Sequence, residues 1–267
     1  MKLTFISLAS GSSGNCYYLG TEGYGILIDA GIGVRTIKKA LKDYNIPFET
    51  ILGVFITHDH ADHIKSAGFL GEKYGIPVYS TEEIHFGMNR SYGMTQKIYQ
   101  SKRLVVKNEV TEVRDFRITP FEVPHDGTDN VGYFIELGDI KFAFATDLGY
   151  VTETVKDYMS RASYLIIEAN YDIEMLNHGS YPYHLKQRIL GLNGHLSNKD
   201  CAEFLAEVYH PDIQYIFLCH LSRDNNHPEL AYKTIEFRLL QEDIRVGRDV
   251  ELVALKRNHP SDLYLFE

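Results

Sequence analysis

The sequence predicts a mixed α/β protein built in layers, and three observations carry that prediction. The chain has 267 residues, of which 44% are hydrophobic and 24% are charged, so it has enough apolar material for one continuous core. Strand-like and helix-like segments follow one another in two successive blocks. Short glycine-rich turns, rather than long polar linkers, join the segments. We therefore expect two sheets packed face to face with helices outside, in a single domain that spans residues 1–267.

The first block begins with three short strands, which we expect at residues 3–9, 16–19 and 25–29. Glycine-rich turns separate these strands. Apolar residues recur at helical spacing over residues 34–44, with lysines on the opposite face, so this segment is predicted to be an amphipathic helix. A buried strand at residues 54–57 follows, and a second helix is expected from about residue 62 to about residue 74.

The second block contains more strands than helices. Strands are expected at residues 104–106, 113–123, 132–137, 141–146, 164–168, 213–219 and 251–256. Helices are expected at residues 151–159, 198–209 and 229–241. The pattern by itself supports only a layered α/β class, and a more specific architecture depends on the motifs described next.

Charge, hydropathy and cysteine content exclude several classes of protein. The net charge of −9 disfavours a protein that coats nucleic acid through bulk charge, although it allows local basic patches. No run of about 18 apolar residues occurs, so no membrane-spanning helix is expected. The segment at residues 3–9 resembles a signal peptide, but Thr4 and Ser7 interrupt it, and a β-strand is the better interpretation. Three scattered cysteines are too few for a disulfide framework, so a cytoplasmic location is expected.

A cluster of histidines and aspartates directly follows the strand at residues 54–57. The cluster reads His58-Asp59-His60-Ala61-Asp62-His63. Alternate residues of an extended segment point the same way, so the side chains of His58 and His60 converge. Asp62 and His63 project from the first turn of the next helix. Because imidazole nitrogens and carboxylate oxygens bind zinc and similar ions, the cluster predicts two adjacent metal sites. The alternative is a surface histidine cluster without a ligand.

This motif resembles that of the metallo-β-lactamase superfamily, and the resemblance extends over nearly the whole chain. It implies a four-layer αββα sandwich of two mixed sheets. It also implies further ligands at strand ends, in Pro124-His125-Asp126-Gly127, Thr146-Asp147-Leu148-Gly149 and Cys219-His220-Leu221-Ser222. The implied ligands of one metal ion are His58, His60 and His125. The implied ligands of the other are Asp62, His63 and His220, and Asp147 bridges the two.

Each of the distant ligands also has another interpretation. Asp126 competes with His125, which by itself is compatible with a turn histidine. Asp147 is placed to cap the helix at residues 151–159, and His220 is compatible with a hydrogen-bonded core histidine. Asp29, in Leu27-Ile28-Asp29-Ala30-Gly31, matches the first motif of the superfamily. It is expected to hydrogen-bond the histidine segment rather than to bind metal.

A second pair of motifs resembles the phosphodiesterase branch of the superfamily, which includes tRNase Z. These motifs are Tyr164-Leu165-Ile166-Ile167-Glu168-Ala169-Asn170 and Gly194-His195-Leu196-Ser197-Asn198. The resemblance implies that Glu168 positions His195, which protonates the leaving oxygen. A carboxylate partner suits this role, because it selects the tautomer of the imidazole and raises its pKa. The alternative is that Glu168 lies on the surface and His195 caps the helix at residues 198–209.

Further motifs make the chain similar to the YycJ/WalJ family. They are Ser7–Asn15, Tyr181-Pro182, Leu185-Lys186, Arg188-Ile189, Leu221-Ser222 and Asn225-Asn226. Members of that family are regarded as metal-dependent nucleases acting on DNA, with a genetic association to two-component signalling in some bacteria. The loop amides and nearby basic residues are candidates for binding phosphate, although a hairpin turn and a solvated charge run are the alternatives. The expected substrate contacts are Ser10, Ser13, Asn15, Lys186, Arg188, Ser222 and Asn225.

The resemblance implies a phosphodiesterase with two divalent metal ions, Zn²⁺ first and Mn²⁺ as the alternative, and DNA rather than RNA as its partner. A hydroxide bridging the metal ions would attack phosphorus, and the expected catalytic residues are Asp62, Glu168 and His195. We therefore predict a DNA exonuclease that has no membrane partner. Two alternatives remain open. One is a hydrolase of small cyclic phosphodiesters or thioesters, and the other is a regulator of a two-component signalling system without catalytic activity.

Overall fold

The computed structural model describes residues 2–266. Its internal contacts divide the chain into two compact units. The first unit contains the chain up to Val113, Gly127–Asn130 and the chain from Lys256 onward, and the second contains Arg114–Asp126 and Val131–Leu255. The single domain expected over residues 1–267 stays a prediction.

The first unit is built around a mixed sheet. Its strands are β1 (Leu3–Ala9), β2 (Cys16–Gly20), β3 (Gly25–Ile28), β4 (Ile51–Phe55), β5 (Val78–Ser80), β6 (Lys102–Leu104) and β14 (Tyr264–Phe266). In space they follow the order β14-β1-β2-β3-β4-β5-β6. Pairing is antiparallel from β14 to β3 and parallel from β3 to β6. The helices are α1 (Val34–Asp43), α2 (Ala61–Ile64), α3 (Ala67–Tyr74) and α4 (Glu82–Arg90), with a 3₁₀ turn at Phe48–Thr50.

The other sheet is also mixed. Its strands are β7 (Thr111–Val113), β8 (Phe116–Glu122), β9 (Val131–Leu137), β10 (Ile140–Ala145), β11 (Tyr164–Glu168), β12 (Tyr215–Cys219) and β13 (Glu251–Ala254). Their order is β13-β12-β11-β10-β9-β8-β7. Pairing is antiparallel from β8 to β10 and parallel from β10 to β13. The helices are α5 (Glu153–Met159), α6 (Ile173–His178), α7 (Tyr183–Leu190), α8 (Asn198–Val208) and α9 (Pro228–Gln241).

The strands that end at candidate functional residues are deeply buried. Every residue of β11 is buried, and so is every residue of β12 after Tyr215. Such strands are apolar along most of their length, because parallel strands in the middle of a sheet are covered on both faces. In the parallel register of β11 and β12, Glu168 pairs with Cys219. The carboxyl ends of these two strands therefore meet at one edge of the sheet, where α/β folds bind their ligands.

The structure corrects several predicted boundaries. The strand expected at residues 113–123 is two strands, β7 and β8, because the chain turns at Arg114, which has a φ of 52°. The helix expected from about residue 62 stops at Ile64 and resumes at Ala67 as α3. The strand expected at residues 104–106 lies at Lys102–Leu104. Five elements, β5, α4, α6, α7 and β14, were not predicted, because short segments show little periodicity. Within residues 2–266 no helix is both long and apolar enough to cross a membrane.

Candidate metal centre

Three histidine rings of the first unit lie against one another beyond the end of β4. The strand ends at Phe55, and α2 begins at Ala61 with His60 as its extended N-cap residue. The ring centroid of His58 is 4.6 Å from that of His60 and 4.1 Å from that of His63. His58 and His63 are buried, and His60 is half-buried. Imidazoles this close can direct nitrogen lone pairs at shared or adjacent metal ions.

Asp29, which follows β3, holds this histidine segment in place. Its Oδ2 lies 2.7 Å from Nδ1 of His63. Its Oδ1 accepts the backbone N–H of Thr57 at 2.9 Å, and the Thr57 hydroxyl donates to the same carboxylate. Because a carboxylate only accepts hydrogen bonds, Nδ1 of His63 carries the proton, and Nε2 is the ring nitrogen that can bind metal. These contacts are those of a residue that orients a ligand.

Asn15 lies beside two of the predicted ligands. Its backbone N–H donates to the carbonyl oxygen of Asp62 at 2.8 Å. Its Nδ2 lies 3.4 Å from Oδ2 of Asp62 and 2.9 Å from Nε2 of His63. Gly31 permits this approach, since a Cβ there would lie 1.6 Å from the Asp62 carbonyl oxygen. Asn15 is fully buried, so it meets the predicted ligands from inside the first unit, which disfavours direct contact with a substrate.

Glu168 is the centre of a hydrogen-bond network in the second unit. Its side chain is fully buried at the end of β11. Oε1 lies 2.8 Å from Nδ1 of His195 and 2.8 Å from Nδ1 of His220. Asn170 donates to the same oxygen, and two backbone N–H groups donate to Oε2. Since the carboxylate only accepts hydrogen bonds, both imidazoles carry a proton on Nδ1. Nε2 of each ring is therefore the atom that can bind a metal ion or transfer a proton.

The charges of this network shift two pKa values in opposite directions. Burial raises the pKa of the Glu168 carboxyl, but the charge of His195 and the hydrogen bonds from His195 and His220 outweigh it and lower that pKa to about 2. Burial lowers the pKa of His195, but the charge and hydrogen bond of Glu168 outweigh it and raise that pKa above its ordinary value. The pair therefore favours an ionised carboxylate beside a protonated imidazole.

Three of the predicted site residues stand in a left-handed backbone conformation within two residues of the end of their strands. The φ angles of Asp147 and His220 are 51° and 53° in the second unit, and that of Asp29 is 59° in the first. Residues other than glycine are rare in this region and cluster at functional sites. Oδ1 of Asp147 lies 3.3 Å from Nδ1 of His220. Thr152 caps α5, so Asp147 does not cap this helix.

His125 and its neighbour Asp126 have different surroundings. Nδ1 of His125 lies 2.8 Å from the carbonyl oxygen of Gly194 and donates to it, and its Nε2 lies 3.6 Å from Oδ1 of Asp147. Asp126 is held instead by Arg188, whose Nε and Nη2 donate to the two carboxylate oxygens at 2.5 and 3.0 Å. This bidentate pair neutralises Asp126, which favours His125 over Asp126 as the ligand. The same pair occupies the guanidinium of Arg188, which was predicted to contact the substrate.

The other predicted substrate contacts are divided between surface and interior. Ser13 is exposed and donates to Asn258 at 2.7 Å, and Lys186 donates to the carbonyl oxygen of Asn177 at 2.7 Å. The buried members of the set are Ser10, Ser222 and Asn225. In the part of the chain described, neither side-chain amide atom of Asn225 has a hydrogen-bond partner. Buried amides normally have partners, so Asn225 stays a candidate for binding a ligand, and all seven assignments stay predictions.

Sequence reasoning missed two residues that organise the site. Thr57 bonds the Asp29 carboxylate, and its hydroxyl lies 3.0 Å from Nδ1 of His58. Asn170 donates to Oε1 of Glu168 at 3.1 Å and to the carbonyl oxygen of His220 at 2.8 Å. Thr57 directly precedes the histidine cluster, and Asn170 is the last residue of the Glu168 motif, where no role was assigned to it. A polar side chain at such a position is the signal that would have identified them.

The side chains present suit a divalent metal ion. Four residues of the second unit each offer a ligand atom, and these atoms lie within 4.8 Å of one another: Asp147, Glu168, His195 and His220. Glu168 and His195 bond to each other, which favours Asp147 and His220 as the ligands. In the first unit the donors are imidazoles and the Asp62 carboxylate. Neutral imidazole and carboxylate are ligands for zinc and manganese, so the residues present fit the implied metal ions.

Comparisons with known proteins agree with this geometry. Residues 24–220 match the family model of the beta-lactamase superfamily domain. The chain is 35% identical over 252 residues to the exodeoxyribonuclease YycJ of Bacillus anthracis. The aligned region covers 94% of this chain and 95% of that protein. It is 38% identical over 245 residues to the exodeoxyribonuclease WalJ of Streptococcus pneumoniae serotype 2, with coverage of 92% and 91%.

A solved structure shows the same fold. The metallo-β-lactamase fold protein YhfI of Bacillus subtilis superposes with a TM-score of 0.73 at 16% identity, covering 100% of both chains. Together with the two mixed sheets found in residues 2–266, this likeness confirms the predicted fold class. The extent of the family match and the identity to YycJ and WalJ support one conclusion: this chain belongs to the beta-lactamase superfamily and, within it, to the YycJ/WalJ family.

Proposed function

We propose that this chain is a metal-dependent hydrolase that cleaves phosphodiester bonds and degrades DNA from an end. The observation that carries the proposal is the contact of one Glu168 oxygen with Nδ1 of both His195 and His220, each at 2.8 Å. The same carboxylate thus orients a candidate proton donor and a candidate metal ligand. Such coupling suits the cleavage of a bond with a poor alkoxide leaving group, which needs both protonation and a metal ion.

Two divalent ions, Zn²⁺ or Mn²⁺, are the proposed cofactors. The proposed ligands are His58, His60, Asp62 and His63 of the first unit and His125, Asp147 and His220 of the second. When bound, the ions would supply an activated water and neutralise charge on the phosphoryl oxygens. Asp29 and Glu168 support this set by holding the Nδ1 atoms of His63 and His220.

Side chains of the second unit position and hold the proton for the leaving group. Glu168 holds a proton on Nδ1 of His195, and the raised pKa of His195 favours the form that also carries a proton on Nε2. That Nε2 proton is the one proposed to pass to the leaving oxygen. Asn170 keeps the Glu168 carboxylate in place by donating to it. Because the charge of Glu168 stabilises the imidazolium, the donor is ready before the bond breaks.

The choice of DNA is supported by the relatives. Two proteins that align over more than nine-tenths of this chain are named exodeoxyribonucleases. RNA, small cyclic phosphodiesters and thioesters are the competing substrates, and a regulator without catalysis is the competing class. The intact Glu168–His195 pair argues against the regulator, since a protein without catalysis has no chemical need for it.

End-labelled DNA tests the proposal directly. The chain is loaded with Mn²⁺ or Zn²⁺ and incubated with single-stranded and double-stranded DNA and with RNA, each labelled at the 5′ or the 3′ end. We expect mononucleotides or short products from linear DNA and none from a covalently closed single-stranded circle of the same sequence. Cleavage of the circle would overturn the exonuclease proposal. Absence of products from every nucleic acid, together with turnover of a cyclic nucleotide or a thioester, would replace it.

We also propose that the protein works in the reducing cytoplasm. All three cysteines are buried as thiols rather than joined in disulfides: Cys16, Cys201 and Cys219. Burial, followed by the nearby charge of Asp29, raises the pKa of the Cys16 thiol well above its ordinary value. Buried thiols of this kind are inert, and fractionation of cells that express the tagged chain tests the location.

A further inference from the structure

A groove with a basic lining crosses the surface of the first unit. Its volume is about 580 Å³, and α1, α3 and the segment around Gly93 and Thr95 form its walls. Six of its lining residues are charged or aromatic, namely the cations Arg35, Lys38, Lys65 and Lys73 and the aromatic residues Phe69 and Tyr74. No aspartate or glutamate lies among the lining residues in the part of the chain described. Four cations without an acid stand out in a chain whose net charge is −9.

Aromatic rings hold two of the cations in the groove. Nζ of Lys38 lies 4.1 Å from the ring centroid of Tyr74 and 4.3 Å from that of Phe48. Nζ of Lys73 lies 4.8 Å from the ring centroid of Phe69. Ammonium groups are attracted to the faces of such rings. The rings therefore restrict the positions of the two ammonium groups at the groove, which lowers the entropic cost of binding an anion there.

The beginning of α1 adds to the positive potential. Gly33 is its N-cap residue and Val34 its first residue, and both line the groove. Among residues 2–266, no side chain caps this end of α1, and its first turn carries no acidic residue. The first backbone N–H groups of a helix carry partial positive charge and attract anions. This end of α1 reinforces the four cations without serving as a site by itself.

The groove shares two chain segments with the candidate metal ligands of the first unit. Lys65 and Ser66 follow His63 directly, and the backbone N–H of Ser66 donates to the carbonyl oxygen of Ala30 at 2.8 Å. Ala30 in turn donates to the carbonyl oxygen of His63 at 2.7 Å. The loops that carry Asp29 and His63 therefore also form one wall of the groove. The groove therefore adjoins the histidine segment.

We propose that this groove binds the phosphodiester backbone of single-stranded DNA, independently of base sequence. A continuous polyanion matches a row of cations without acids, and its affinity comes from phosphate contacts rather than base contacts. The volume is comparable to the space taken by a drug-sized ligand, which a stretch of single strand fills and a duplex exceeds. The identification of the polyanion as DNA rests on the proposed function. The charge and the shape of the groove are independent of that function.

Equilibrium binding tests the groove separately from catalysis. The metal-loaded chain is titrated into a fluorescein-labelled oligothymidylate with phosphorothioate linkages, which slow hydrolysis, and anisotropy is recorded at several salt concentrations. The test variant is Arg35→Glu/Lys73→Glu. The matched control is Lys39→Glu/Lys42→Glu, which makes the same change in net charge on residues of α1 outside the groove. Circular dichroism confirms that both variants are folded.

We expect the test variant to lose about tenfold or more in affinity and to show a salt slope smaller by about 1 for each lost phosphate contact. The control should stay within about twofold of the unaltered chain, because long-range charge is screened at physiological salt. Equal losses of affinity in both variants, or no loss in the test variant, would overturn the proposal that the groove binds DNA. So would preferential binding of duplex DNA, or of anionic phospholipid vesicles without binding of the oligonucleotide.

The same samples distinguish failure of the groove from failure of the proposed function. Hydrolysis of bis(4-nitrophenyl) phosphate and of linear DNA by the unaltered chain reports the function alone. If binding depends on Arg35 and Lys73 but the unaltered chain hydrolyses neither substrate, the proposed function is wrong and the proposal that the groove binds DNA is retained. If the unaltered chain hydrolyses DNA but the test variant binds the oligonucleotide equally well, the proposal that the groove binds DNA is wrong and the proposed function is retained.

Discussion

Nδ1 of His195 lies 2.8 Å from Oε1 of Glu168, and this carboxylate is fully buried at the end of β11. His195 itself keeps 16% of its side chain exposed, so one ring nitrogen is tied to the interior while the ring edge remains accessible. A proton donor needs this combination, because its orientation must be maintained while its other nitrogen meets the substrate. The contact connects a turn before α8 to the sheet.

Replacing His195 separates the proton donor from the metal site. His195→Ala is expected to lower kcat on DNA by ~10²–10⁴-fold, which is the usual contribution of a general acid. The loss should shrink on bis(4-nitrophenyl) phosphate, whose nitrophenolate leaves without protonation, and elemental analysis should find the metal content unchanged. His184→Ala, an exposed histidine on α7, serves as the control. Equal losses on both substrates, or release of metal, would assign His195 a structural or ligand role.

Replacing Glu168 should affect both histidines at once. Glu168→Gln removes the charge that two imidazoles share, and a hydrogen bond to a charged group contributes about 1.5–3 kcal/mol. We expect a lower free energy of unfolding by chemical denaturation and weaker metal binding as well as lower kcat, unlike His195→Ala. Glu174→Gln, an exposed residue of α6, is the control. Retention of full metal affinity in Glu168→Gln would show that the contact with His220 does not position a ligand.

The proposed bridging ligand Asp147 is tested with two substitutions. The unaltered chain is expected to carry about two divalent ions, as dinuclear hydrolases do. Asp147→Asn and Asp147→Ala should each weaken at least one ion and abolish hydrolysis. Asp147 has a φ of 51°, a conformation that asparagine tolerates and that costs alanine about 1 kcal/mol. In the metal-free chain, where loss of metal binding cannot contribute, only Asp147→Ala should therefore lower the melting temperature. Either variant with both metals and full activity would contradict the assignment.

Asn15 is expected to support the metal ligands rather than the substrate. Asn15→Ala removes the side chain that lies 2.9 Å from Nε2 of His63 and 3.4 Å from Oδ2 of Asp62. Because Asp62 loses the amide that holds its carboxylate, metal affinity should fall in competition with a chromogenic chelator. Ser13→Ala changes the same loop at an exposed residue that bonds only Asn258 among the hydrogen bonds described, and it should leave the affinity unchanged. Equal effects of both substitutions would point to a general disturbance of the loop.

Glu72 predicts a stability difference that depends on pH. The backbone N–H of Tyr99, the Ser101 hydroxyl and the neighbouring backbone lower the pKa of Glu72 from 4.5 to about 2. The carboxylate therefore contributes stability above pH 4.5 that is lost as the pH falls through about 2. Glu72→Gln should melt at a lower temperature than the unaltered chain at neutral pH, and the difference should disappear near pH 2. The exposed Glu22→Gln is the control, and a difference independent of pH would contradict the assignment.

The class of fold and four of the candidate ligands followed from local features of the sequence. His58, His60, Asp62 and His63 stand within six consecutive positions after an apolar strand, and the alternation of an extended chain is sufficient to bring the first two together. The positions of His125, Asp147 and His220 came from resemblance to a family. Most strands and the longer helices were predictable, since periodicity is clear when a segment is long enough.

Only the tertiary structure revealed how these residues are held. Glu168 meets His195 and His220, which lie 27 and 52 positions later in the chain, and the register that pairs Glu168 with Cys219 determines the second contact. The left-handed conformations of Asp29, Asp147 and His220 have only a weak signature in residue type, because Asp and His are enriched in this region but rarely adopt it. The basic groove gathers cations from α1, from α3 and from the residue after α2. Sequence periodicity reports which residues share a face of one element, whereas contacts between elements depend on strand register and on packing, and for that reason the ligand types could be read from the sequence while their support could not.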